Sequence, residues 1–146
     1  MFQKLLNGLM APEPEPLPDA DARLALTALL VRIARADGDY SAAEVERINR
    51  ILVTRYELSP FEAAKLRADA ETLESEAPDT VRFTRAIKDA VPYEERVGVI
   101  EALWDVVLAD GERDTEEDAL LRLVAPLLGV NDRDSNLARR KVQSRQ

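Results

Sequence analysis

Two short stretches of this chain hold carboxylates at a spacing that could do chemistry. Asp37-Gly38-Asp39 is followed by Glu44, and Asp110-Gly111-Glu112 by Glu117. Asp37 corresponds to Asp110, Asp39 to Glu112 and Glu44 to Glu117 at one constant offset of 73 residues. At the same offset Ile48 falls on Leu121 and Ile51 on Val124, so the register extends into the apolar residues and points to an internal duplication. Carboxylate oxygens gathered at a tight turn are ligands for hard cations such as Ca²⁺ or Mg²⁺. The same groups can instead cap the next helix, accepting from N–H groups that have no partner inside it. Both readings stand. The spacing from Asp37 to Glu44 is too short for the twelve-position loop of an EF-hand.

Composition narrows the chemistry. The 146 residues include no His and no Cys, which removes the Ser-His-Asp triad, the thiol nucleophile and the usual structural zinc site. Carboxylates, Lys, Tyr and hydroxyls remain, and no motif sets a pair of carboxylates across a cleft. The expectation is a protein that is not an enzyme and has no catalytic residues. A formal net charge of -8 disfavours nucleic acid and leaves cations and basic protein surfaces as partners. No run approaches the roughly 18 apolar residues of a membrane span, and the first residues lack the pattern of a signal peptide, so a cytoplasmic protein is expected.

The elements that must position these carboxylates read as helices throughout. Leu24 to Ala34 is apolar on nearly every side and predicts a buried helix from Asp19 or Asp21 to about Ala36, closed by Gly38. Ser41 and Glu44 make a capping box for an amphipathic helix bearing Val45, Ile48, Ile51, Leu52 and Tyr56. Ser59-Pro60-Phe61-Glu62 opens a helix to about Leu73, and another is expected from Asp79 to about Val91. Glu94 to Ala109 then mirrors the first buried helix. Asp114 with Glu117 repeats the capping box for a helix ended by Gly129, and a last helix runs from Asn131 or Asp132 to about Val142. No stretch alternates as a strand would. The fold class expected is all-α, an internally duplicated bundle of about seven core helices with the two buried helices packed at its centre.

Residues 1–10 precede this domain and carry Phe2, Leu5, Leu6, Leu9 and Met10 on one helical face. Residues 11–18 alternate Pro and Glu and predict an extended linker. The domain proper is placed at 19–146, with repeat halves at about 19–58 and 92–131.

Ala36-Asp37-Gly38 with Glu44, and Ala109-Asp110-Gly111 with Glu117, each between a buried and an amphipathic helix, resemble the TerB-like family of tellurite-resistance proteins. They are also similar to the N-terminal domain of the DjlA co-chaperones. The resemblance covers about Leu24 to Val130. It implies an all-α, duplicated, cytoplasmic bacterial domain linked to metal, oxidative and phage stress. It also implies that Asp37, Asp39, Glu44, Asp110, Glu112 and Glu117 form a metal-binding or contact surface.

Two functions follow as expectations. One is a non-enzymatic, stress-associated module that binds a divalent cation or a basic partner surface through its acidic turns. The other is an adaptor that docks on a membrane or an unknown protein partner through residues 1–10, with the acidic turns serving only as caps.

Overall fold

The computed structural model describes residues 2–10, 19–36, 40–77, 79–107 and 115–144, with the backbone alone at 19, 106–107, 115–118 and 120. Eight helices follow one another: α1 (Gln3–Leu9), α2 (Asp19–Ala34), α3 (Ala42–Tyr56), α4 (Pro60–Glu76), α5 (Thr80–Ala90), α6 (Tyr93–Val107), α7 (Thr115–Leu127) and α8 (Asp132–Ser144). The described residues contain no strand, and the all-α expectation holds.

The local chemistry at the helix ends accounts for most boundaries. Ser41 Oγ accepts from Glu44 N at 3.1 Å while Glu44 Oε1 accepts from Ser41 N at 3.4 Å. Ser59 and Glu62 form the same box ahead of Pro60, which stands where a helix needs no donor. Asp79 caps α5 through Arg82 N, and Asn131 Oδ1 accepts from Asp134 N at the start of α8. Gly129 has φ +76°, and the bonds Val130 N to Ala125 O and Gly129 N to Pro126 O close α7 in a left-handed turn that glycine enters without strain. Two boundaries differ from the sequence expectation, and the expected end of α6 at Ala109 lies outside the described residues. α2 stops at Ala34, before a turn at Arg35 and Ala36. α4 continues past Leu73 to Glu76, because Glu74 accepts from Arg32 and Arg35 and so anchors the last turn to α2. Replacing Ser41 by Ala removes a cap and is expected to cost about 1 kcal/mol in urea unfolding, with no change in the slope against denaturant.

α2 and α6 pack together at the centre. Ala25, Leu29, Val31 and Ile33 of α2 are completely buried, as are Ile100 and Leu103 of α6, and Trp104 is 1% exposed. The duplication is larger than two helices per copy. The 73-residue offset carries α3 onto α7 and α4 onto α8 to within a residue at their starts, and α2 lies most extensively on α4 as α6 does on α8. Crosswise, α3 packs on α6 and α7 on α2, the pattern of two three-helix units related by an approximate two-fold. α5 joins them and lies on α2 and α7.

α1 turns its apolar face inward. Leu6 and Leu9 are 5% and 1% exposed, Phe2, Leu5 and Met10 pack against the core, and the helix rests on α5. No helix among the described residues is long and apolar enough to cross a membrane.

Candidate functional site

The directions of the helices decide where the two acidic stretches leave the bundle. Arg23, near the start of α2, lies over the ring of Tyr56 at the end of α3, 4.8 Å from its centroid, so α2 and α3 run antiparallel. Arg47, early in α3, pairs with Asp105 late in α6 at 3.5 Å. Arg55, late in α3, donates to the Glu95 carbonyl early in α6 at 3.4 Å. α6 is therefore also antiparallel to α3. It follows that α2 and α6 run in the same sense, and their C-terminal ends share one end of the bundle. The acidic stretches continue the chain from these two ends. Antiparallel packing would instead have separated them by about a helix length, roughly 24 Å for sixteen residues.

At the end of α2 the described side chains form a charged clamp. Arg32 Nε lies 3.2 Å and Arg35 Nη1 2.8 Å from the carboxylate of Glu74, which is brought in by α4. Arg35 also covers the ring of Tyr40 at 5.2 Å. Two guanidinium groups thus share one carboxylate just before Asp37 in the chain, where the negative end of the α2 dipole by itself disfavours an acid. Nothing in the local sequence announced this clamp, since Glu74 lies 42 residues from Arg32.

Of the six carboxylates singled out by sequence, Glu44 alone has a described side chain. It is 2% exposed and its Oε1 also accepts from Ser41 Oγ at 3.1 Å, so Glu44 acts as a helix cap. Asp37, Asp39, Asp110 and Glu112 lie outside the described residues, and of Glu117 only the backbone is described. Among the described residues no three acidic groups stand close enough to hold a metal ion. The donor chemistry of the acidic stretches fits a hard cation, with Glu44 Oε1 already engaged in the cap.

Burial pushes the phenol of Tyr40 well above its ordinary range, and the neighbouring carboxylate of Glu71 adds to this, against the opposing effect of Arg67. Burial likewise raises Tyr56. A phenol whose folded value lies above its unfolded value contributes stability that is complete below pH ~10 and is lost as pH rises through the folded value. Unfolding free energy is therefore expected to fall above pH ~10, and Tyr40→Phe should flatten that fall in an alkaline denaturation series.

These observations define a class: an all-α bundle of two similar three-helix units whose central helices, α2 and α6, run in the same sense. The family model described as tellurite resistance protein TerB matches residues 23–140. The chain belongs to the TerB family, as its acidic turns implied. No curated protein and no solved structure gives a significant match.

Proposed function

We propose that this TerB-family module is not an enzyme and binds a hard divalent cation, Ca²⁺ or Mg²⁺, at the end of the bundle where α2 and α6 terminate together. The observation that carries the reading is the shared direction of these two helices, set by the contacts of Arg23, Arg47 and Arg55. It lets carboxylates from both copies serve one ion instead of two sites a helix length apart. Asp37, Asp39, Asp110 and Glu112 would hold it, with Glu117 at the edge and Glu44 kept as a cap. The ion would supply positive charge that neutralises the acids and ties the two copies together. The family's name suggests a stress-associated setting, and a chain without His or Cys suits oxygen ligation better than group transfer. Thermal unfolding of the metal-stripped chain with and without millimolar Ca²⁺, Mg²⁺ or Mn²⁺ tests this. A rise of several degrees with one of these ions is expected. No rise with any of them would overturn the reading.

A further inference from the structure

The two-fold that relates α2–α4 to α6–α8 does not extend to α5. α5 lies on α2 and α7. The operation that exchanges the copies would seat a counterpart of α5 on α6 and α3, and no described helix lies there. A groove of about 510 Å³ opens between α3 and α6 instead.

The chemistry of that seat differs from its twin. At the 73-residue offset Arg47, Arg50, Thr54 and Arg55 of α3 correspond to Leu120, Leu123, Leu127 and Leu128 of α7, of which Leu128 is fully buried and Leu123 is 48% exposed. On the opposite wall Ala25 and Ala28 of α2 become Gly98 and Glu101 of α6. One copy of the interface is an apolar seam, with Val124, Leu128, Ala25 and Ala28 fully buried. The other is lined by three arginines above an apolar floor of Ile51, Gly98 and Ala102. Gly98 lets the guanidinium of Arg55 lie against α6, since a Cβ there would meet Arg55 Nη2 at 2.3 Å and the side chain would have to shift.

The charges do not cancel within the groove. Asp105 is held by Arg47 at 3.5 Å, and Glu101 by Lys141 of α8 at 3.4 Å. Among the described residues Arg50 pairs with Glu46 at 3.6 Å in an exposed contact of a kind that contributes little. Arg55 has the Glu95 carbonyl at 3.4 Å. The buried Nε of Arg47 has no hydrogen-bond partner among the described residues. Arg50 and Arg55 stand five residues apart, about 7.5 Å along α3.

We infer that this groove is a docking seat for an amphipathic helix of a partner protein, with small apolar residues toward Ile51 and Ala102 and carboxylates spaced a helical turn apart toward Arg50 and Arg55. A helix already occupies the equivalent seat on the other copy, and the arginines select an acidic one. The inference does not depend on cation binding at the acidic turns.

A stapled, fluorescein-labelled peptide with the sequence of α5, Thr80–Ala90, carrying R82E, R85E and K88E, tests it by fluorescence anisotropy with the full chain. The staple supplies the helix that so short a peptide does not form alone. Saturable binding is expected, weakened about tenfold or more by R50E with R55E and by A102W, which fills the groove while leaving its charges. The same stapled peptide with its original basic residues should also bind about tenfold or more weakly. Circular dichroism verifies that each variant is folded. The inference is overturned by absence of saturable binding, by equal binding of both peptides, or by binding indifferent to the arginine reversals. Displacement by inorganic phosphate at constant ionic strength would make the groove a small-anion pocket and overturn it. A dimer that R50E with R55E dissociates would give the seat to a second copy and also overturn it.

Discussion

Trp104→Ala is expected to destabilise the fold by about 3 to 5 kcal/mol, lowering the unfolding midpoint on the order of 10 °C. Trp104 is the largest fully buried side chain and sits where α6 meets α7 and α8. Its indole N–H donates to Ser135 Oγ at 3.2 Å, and the guanidinium groups of Arg122 and Arg139 lie 5.8 and 5.7 Å from its ring. Truncation to alanine removes the ring's packing, leaves a cavity, and strips the Ser135 hydroxyl, itself 7% exposed, of its donor. Trp104→Phe keeps much of the volume and should cost less, the difference reporting the indole N–H and the smaller ring. Urea unfolding followed by far-UV circular dichroism measures both, since the only Trp is the residue replaced. A loss under 1 kcal/mol for the alanine variant would mean that α8 is held by other contacts.

The second large effect concerns the ion. A ligand present at a hundred times its dissociation constant adds about 2.7 kcal/mol to the stability of the form that binds it. For a chain of this size that is a rise of several degrees in the unfolding midpoint. Asp37→Asn with Asp110→Asn keeps side-chain size and turn-forming capacity while removing one charge from each copy. The double variant should unfold near the metal-free wild type and show no rise with ion. If the two acids were merely caps, the amides would substitute for them at little loss, and the ion would act alike on both proteins.

Much of the fold was legible because its signals are local. Capping boxes at Ser41–Glu44 and Ser59–Glu62, the left-handed turn at Gly129 and the all-round apolarity of α2 each lie within a few residues of the structure they cause. The ends of α2 and α4 were less legible, since Glu74 is fixed by Arg32 and Arg35 across the bundle. The direction of α6 against α2 was illegible for the same reason: it is set by Arg47 with Asp105 and Arg55 with Glu95, pairs separated by 40 residues or more. Periodicity read α3 as an amphipathic helix with Val45, Ile48, Ile51, Leu52 and Tyr56 on its apolar face and went no further. Carrying the 73-residue offset through the whole of α3 would have shown leucines exchanged for arginines, a signal available in the sequence and tied to the groove. For the candidate cation site, sequence identified six carboxylates, and the structure bears out that one of them, Glu44, caps α3 and is buried while doing so.

The most direct test of the central claim, that both acidic stretches serve one ion, is a double-mutant cycle on the ion-induced rise in unfolding midpoint, using wild type, Asp37→Asn, Asp110→Asn and the double variant. A shared ion predicts that either single substitution abolishes most of the rise and that the double removes little more. Two independent sites would make each single variant lose about half and the losses add. Additive losses, or a rise that survives in the double variant, would contradict the account.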